Sequence, residues 1–381
     1  MTAIEAAVVG VVVACTIGLV LAIAVVALKW AHRRRVHSHE IRRREYLRMI
    51  SAHVVQSGSI PVVSAQEAED DAFIDAVIDV RNTIAGSPDD ALNGLVDSSG
   101  LTRRQAGRLR SPFPLGRRLR AAVSLAEIGD RGAARVLLAH LSDREPEIRI
   151  QSARGLARMR YVAAIGPILA RLAEETPAVR SMLAEALVAF GRDAAWPITA
   201  FIRAHHKDPV ITGIPEAARA IGTIGDSEVG NALSELLFEI EDVEILLALI
   251  ESLGYVGGPH AVRPLRRTLA SEDWRLRAKS ATALGEIGDP SVNPILFSGL
   301  RDQSWWTRRN CAAALSVLPG GIGWLYDGLI SHDEFARDAA AEALADCGEL
   351  AAARDRVDAG VSRPRDLQLL NYMASPGMVF S

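Results

Sequence analysis

Residues Ala281 to Asp289 read Ala-Thr-Ala-Leu-Gly-Glu-Ile-Gly-Asp. The phrase also stands at Ala122 to Asp130 as Ala-Val-Ser-Leu-Ala-Glu-Ile-Gly-Asp and at Ala218 to Asp226 as Ala-Arg-Ala-Ile-Gly-Thr-Ile-Gly-Asp. Aligned on its fourth residue, it recurs at Leu125, Leu156, Leu187, Ile221, Leu253, Leu284, Leu315 and Leu344, in steps of 31, 31, 34, 32, 31, 31 and 29 residues. A nearly constant period of this length describes a solenoid, because one unit cannot bury its apolar face alone and must stack on the next.

Within a unit the spacing predicts helix, acidic turn, helix and glycine stop. Pro290 to Leu300 is the first helix of one unit and Trp306 to Leu318 the second, with Asp302 opening the turn between them. Asp143 and Asp302 suit helix N-caps, where a carboxylate satisfies orphan backbone N–H groups. Four residues after the anchor stand Gly129, Gly191, Gly225, Gly257, Gly288 and Gly348. A helix end often needs a left-handed residue there, so these glycines read as punctuation and not as phosphate loops. Seven residues before the anchor stands an arginine in six units: Arg118, Arg149, Arg180, Arg277, Arg308 and Arg337. Ile214 and Leu246 replace it in the other two. A charge at one phase of each helix pair predicts a structural ladder with turn acids.

The segment resembles a HEAT-repeat solenoid of the short bacterial kind, whose second helix reads Val-Arg-x-x-Ala-x-x-Ala-Leu-Gly-x-Ile-Gly-Asp. The resemblance covers roughly residues 101–358 and implies an all-α fold of about eight HEAT-like helix pairs. It implies a protein-binding scaffold before an activity; a minority of such repeats resemble bilin lyases, and others bind damaged DNA. Membrane-tethered bacterial proteins of this layout also resemble accessory subunits of membrane glycosyltransferases. Units four and five depart from the pattern, with the step lengthened at His205-His206-Lys207-Asp208-Pro209 and the ladder arginines replaced.

A single transmembrane helix is expected to precede the solenoid. Ala6 to Leu28 holds 23 residues without a charge, and at 1.5 Å per residue spans about 34 Å against a hydrocarbon core of about 30 Å. Only Glu5 precedes it, whereas Lys29, Trp30, Arg33, Arg34 and Arg35 follow. Positive charge stays inside, so the N-terminus should lie outside a bacterial inner or plasma membrane and the solenoid in the cytoplasm. A cleaved signal peptide would have the reverse order of charge. Arg42, Arg43 and Arg44 extend the basic stretch, which anionic lipid headgroups would attract along with Lys29 and Arg33 to Arg35. His32, His37 and His39 stand nearby in a flexible polar segment and read as chance clustering, not as a metal site. The expected organisation is an anchor at 1–31, a basic juxtamembrane segment at 32–63, an acidic linker with one helix at 64–100, the solenoid at 101–358 and a tail at 359–381.

Charge alternates along this first third: Ser64 to Ser99 carries nine acids and only Arg81 against them, and Leu101 to Arg120 seven arginines and no acid. Contact between the acidic helix and one basic neighbour is expected. The chain as a whole has 381 residues, a formal net charge of −3 and only 5% aromatic residues. That balance exerts no overall pull towards nucleic acid. Arginine far outnumbers lysine, which stands only at Lys29, Lys207 and Lys279, as in a GC-rich genome. The cysteines Cys15, Cys311 and Cys347 form no C-x-x-C pair and no disulfide framework. Neither a His-Glu-x-x-His zinc motif nor a nucleophile elbow occurs, and no enzyme activity, metal or cofactor is expected.

Because aromatic residues are scarce, their placement is informative. Trp274, Trp305, Trp306 and Trp324 all fall in the last three units, and Trp274 and Trp305 stand ten residues before their anchors. Arg275, Arg277, Arg308 and Arg309 lie beside them. Tryptophan with arginine is the composition of binding hot spots, so Trp274, Arg275, Trp305, Trp306 and Arg309 are the candidate partner site. Covering the ends of the apolar core is an equally good reading of the tryptophans.

Overall fold

The computed structural model describes residues 3–56, 63–64, 66–83, 90–110, 112–208 and 212–374, with side chains omitted at 3–16, 18, 19, 55, 56, 69 and 90. Among the described residues the chain is all-helical, without a strand, and divides into two compact units, 1–140 and 141–381.

The first unit contains α1 (Ala3–Gln56), α2 (Asp71–Thr83), α3 (Asp90–Ser99), α4 (Leu101–Leu109), α5 (Leu115–Ile128) and α6 (Arg131–Ala139). Its core joins Ile50 of α1 to Phe73, Ile74 and Val77 of α2, Leu92 and Leu95 of α3, and Leu101 and Ile128, all buried. Tyr46 meets Phe73 edge to face, with ring centroids 5.4 Å apart. The segment at 64–100 therefore carries two α-helices, where one was expected. Their apolar faces are what α1 packs against, so this stretch is part of a core and not a tether. The basic juxtamembrane segment is likewise helical through Gln56, because its last three turns supply that core.

Acidic α2 meets both basic neighbours. Arg42 reaches Asp70 at 3.0 Å and Arg43 reaches Asp79 at 2.6 Å from one side, while Arg108 and Arg120 hold Asp71 at 3.1 and 2.9 Å from the other. Burial raises the pKa of Asp75 against the lowering influence of His39 and Arg43, with Asp71 and Asp79 adding repulsion.

The second unit continues the pairs as α7 (Pro146–Arg158), α8 (Ile165–Leu172), α9 (Pro177–Ala189), α10 (Arg192–His205), α11 (Ile214–Ile224), α12 (Gly230–Glu239) and α13 (Val243–Val256). There follow α14 (Pro259–Thr268), α15 (Trp274–Ile287), α16 (Asn293–Gly299), α17 (Trp305–Val317), α18 (Gly321–Gly328), α19 (Glu334–Asp346), α20 (Glu349–Asp358) and α21 (Pro364–Met373). Odd-numbered helices from α7 to α19 pack on one another in series and form one layer; α8, α10, α12 and α14 in series, and α16 with α18, pack on the other side of the pairs. All eight anchors, Leu125 in the first unit and Leu156 to Leu344 in the second, are 0% exposed. Full burial of such a side chain contributes about 1.5–3 kcal/mol, which fixes the phase of every anchor helix.

Helix ends follow the repeat. Asp130, Asp226, Asp242, Asp273, Asp289 and Asp333 cap helix starts by accepting backbone N–H groups. Asp143 and Asp302 are not caps: each accepts the N–H two residues on, at 3.0 and 2.8 Å, inside the turn. The helices after them start at Pro146 and Trp305, with Glu145 and Ser304 in the cap positions. Gly288 ends α15 at φ 79° in the left-handed region. In the second repeat the same slot holds Arg160, at φ 49° the single non-glycine residue of positive φ among those described.

The layer of odd helices is tightest between α11 and α17. A Cβ on Gly285 would lie 2.9 Å from Ala314 Cβ, and one on Gly222 2.8 Å from the Ser252 Cα. The C-terminal segment is not simply a tail. Leu369 and Asp366 of α21 are buried, and Arg356 of α20 donates two hydrogen bonds to Asp366 at 2.6 and 3.0 Å.

Among the described residues, no helix is long and apolar enough to cross a membrane. The apolar run at 6–28 lies for its larger part on residues whose side chains are outside those described. Of its described members, Ile17, Val20, Leu21, Ile23, Val25, Val26 and Leu28 are all exposed.

Candidate functional site

Among the recurring arginines, Arg149 and Arg277 make the expected ladder contact with a turn acid. Arg277 donates from Nη1 to the carbonyls of Ser271 and Glu272 in its own turn, at 2.9 and 2.8 Å. Its Nε and Nη2 reach both carboxylate oxygens of Asp302 in the next repeat at 2.7 and 2.8 Å. Burial pushes Asp302 up, but the Arg277 hydrogen bonds and the Ser304 N–H outweigh it, and the carboxyl stays below its ordinary range. Arg149 repeats the arrangement with the carbonyls of Asp143 and Arg144 and with Glu175, which Arg171 also holds. Burial raises Glu175 as well, and the two arginines again outweigh it. Arg308 and Arg337 bond their own turn carbonyls, and Arg180 lies 3.3 Å from Glu216. Where the arginine is missing, Ile214 and Leu246 are buried and join the apolar core. Arg118 donates to the Leu109 carbonyl at 2.8 Å, so all six arginines have structural partners.

Trp274 is the first residue of α15 and Trp305 the first of α17. The helix starts place both at the open end of the pair, where the anchor phase cannot bury them. They are 43% and 37% exposed, and Trp306 is 50% exposed. The Trp305 and Trp306 rings meet edge to face at 4.7 Å, and the Arg309 guanidinium lies 5.3 Å from the Trp305 ring centroid. Arg309 also lies 3.9 Å from Glu342 of the next repeat. Arg275 is held by Asp273 at 2.8 Å and Glu244 at 2.9 Å, so its charge is already matched. Trp324 is separate from this edge, half-buried with its ring 5.2 Å from Phe297.

The sequence analysis missed Phe335, which is 54% exposed and carries the Arg308 guanidinium 4.7 Å from its ring centroid. Its position could have been found: it stands nine residues before Leu344, as Trp306 stands nine before Leu315. Phe335 extends the aromatic edge by one repeat. The edge thus consists of large apolar rings backed by guanidinium groups, a surface fit for partner side chains more than for chemistry. Cys311 is no nucleophile, since burial pushes its thiol up to about 12. Among the described residues no group of three His, Cys, Asp or Glu side chains is placed to hold a metal ion. His39 lies 3.4 Å from Asp75.

The membrane-surface candidates fall into two groups. Arg42, Arg43 and Arg44 are engaged by Asp70, by Asp79 and Glu40, and by Glu40, respectively. Lys29, Arg33, Arg34 and Arg35 lie on an exposed length of α1, with Arg34 stacked 4.2 Å from the Trp30 ring centroid.

Comparison with known proteins agrees with this architecture. Residues 106–188, 136–212 and 264–345 match a family model described as HEAT repeats. The unmatched stretch between them, 213–263, is the one in which Ile214 and Leu246 replace the ladder arginine. No curated protein matches. Among solved structures, Kap121p bound to Pho4p is similar at a TM-score of 0.51 and 13% identity, over 89% of this chain and 42% of that one. The chain spans less than half the length of that karyopherin, and the likeness is one of fold. The CpcE–CpcF complex of phycocyanin lyase from Nostoc sp. PCC7120 (19% identity, TM-score 0.33, 63% of this chain and 93% of that chain) also matches. So does human deoxyhypusine hydroxylase (20%, 0.30, 67% and 98%).

Proposed function

We propose that this chain is a non-catalytic, membrane-tethered scaffold whose HEAT repeats bind a protein partner along the edge formed by Trp274, Trp305, Trp306 and Phe335. The observation that carries the reading is the exposure of these four rings, each more than a third open to solvent in a chain with only 5% aromatic residues. Aromatic anchors with adjacent arginines dominate binding energy at protein interfaces. Tethering is supported by the uncharged sequence run Ala6 to Leu28 and by the basic residues that follow it. In this reading the N-terminus lies outside and the repeats lie in the cytoplasm, within reach of a membrane protein. An accessory subunit of a membrane enzyme such as a glycosyltransferase is the specific form proposed.

The test is purification of the full-length protein from its own membrane in mild detergent after brief cross-linking, with and without Trp305→Ala and Arg309→Ala together. One stoichiometric membrane protein, lost in the double variant while the circular dichroism of the purified variant is unchanged, is the expected result. Retention of that protein by the variant would refute the assignment of the edge.

A further inference from the structure

Helix α1 is continuous from Ala3 to Gln56, and among its described side chains those that dock on the rest of the unit lie in its last third. From Val20 to Ser38 every described side chain is exposed save the half-buried Ala31; contact with the acidic helix begins at His39. The helix therefore reaches from the apolar run to the core of its unit as a free stalk. From Trp30 to Arg43 it rises about 20 Å, so the basic residues at the two ends of this stretch cannot serve the same surface. Those at the lower end, Arg42 and Arg43, are matched by Asp70 and Asp79. At the upper end no acid stands between Leu28 and His39 to match Lys29, Arg33, Arg34 and Arg35.

At about 100° per residue, Arg33, Arg34 and Arg35 point to three sides of the helix, and Trp30 lies among them. The charge is a collar around the helix, not a stripe along it. The exposed residues Val20, Leu21, Ile23, Val25, Val26 and Leu28 likewise go round the circumference. A helix lying in a membrane surface has one apolar and one charged face. Here apolar and charged residues are instead separated along the axis, as for a helix that passes upright through a surface.

We propose that Lys29, Trp30, Arg33, Arg34 and Arg35 form an interfacial collar that binds anionic lipid headgroups, while Arg42 and Arg43 are withheld from the membrane by α2 and fasten the stalk to its own unit. This rests on the membrane-tethered reading above. The charge complementarity is one-sided, since no ion pair to these four bases occurs among the described residues and no acid stands within the stretch Lys29 to His39, and Trp30 supplies the amphipathic ring suited to the headgroup level. The collar would concentrate anionic lipid around the stalk.

The test uses the full-length chain reconstituted in vesicles of phosphatidylcholine with a minor fraction of phosphatidylglycerol, one or the other brominated at the same mole fraction. Trp30 emission is obtained as the difference from Trp30→Phe. Brominated phosphatidylglycerol should quench it at least about twofold more than brominated phosphatidylcholine. The variant K29Q/R33Q/R34Q/R35Q should lose that preference while remaining in the vesicle fraction on flotation. R42Q/R43Q should keep the preference and instead lower the melting temperature. Equal quenching by the two lipids in the parent protein would overturn the collar while leaving the tether intact, and so would loss of the preference in R42Q/R43Q. Quenching by neither lipid, with the protein absent from floated vesicles, would overturn the tether itself.

Discussion

Both units of the molecule depend on arginine, but they use it differently. In the first, Arg42, Arg43, Arg108 and Arg120 converge on one acidic helix from segments far apart in sequence, in pairs with at least one partner more than a third exposed. In the second, Arg149 and Arg277 each make the same local arrangement, and the side chains of the Arg277–Asp302 pair are only 16% and 15% exposed. The first pattern orients helices whose apolar core is already formed. The second locks the turn of one repeat and couples it to the next, so loss of the arginine removes its hydrogen bonds to two backbone carbonyls and its charge from a mostly buried carboxylate.

Arg277→Ala is therefore expected to cost about 3 kcal/mol, at the low end for breaking a buried pair, whereas Arg42→Ala should cost less than about 1 kcal/mol. Denaturant unfolding of the two variants beside the parent protein measures both, and equal losses would erase the distinction between the two units.

Acid should separate the units next. Asp366 is held down to about 2 by the Arg356 guanidinium, against the raising effect of burial and with help from the Arg363 N–H. A depressed carboxyl stabilises the folded state above its unfolded pKa, about 3.9, and loses that contribution as pH falls through its folded value. Amide-exchange protection of α21 should thus drop between about pH 4 and 2. Asp366→Asn should remove that pH dependence. Asp75 of the first unit has the opposite sign: its pKa is raised, chiefly by burial, so protonation relieves a cost there and acid should not loosen the α1–α2 contact through this residue. Loss of α1–α2 protection at the same pH, abolished by Asp75→Asn, would contradict this assignment.

A small effect is also expected at the repeat's own punctuation. Arg160 occupies the slot that glycine fills in six other repeats and adopts φ 49°. Left-handed backbone costs a side-chain-bearing residue about 1 kcal/mol, so Arg160→Gly should raise the melting temperature slightly, by calorimetry. A lowered value would show that the Arg160 side chain contributes more than its backbone costs.

Legibility in the sequence followed the range of the interactions. The anchors from Leu125 to Leu344, the glycine stops and the ladder phase are set within about one repeat, and a helix of 3.6 residues per turn translates such spacing directly into a buried face. Offset arithmetic locates Trp274 and Trp305 ten residues before their anchors, and Trp306 and Phe335 nine before theirs. Whether those rings cover the core or stay open was not legible, because exposure at a helix start depends on how the adjacent repeat closes over it.

The sequence by itself determined the period, the helix pairing, the left-handed stops and the sign of each charged block, since all of these are properties of local backbone geometry and composition. Only the tertiary structure decided that α2 meets both basic neighbours, that Arg277 reaches Asp302 twenty-five residues on, and that Arg356 draws the last helix onto α20 through Asp366. Each of these is a choice among several oppositely charged partners of equal sequence merit. What selects one is the packing of apolar faces around Ile50 and Phe73 or beneath Leu369, which brings certain side chains within hydrogen-bond distance.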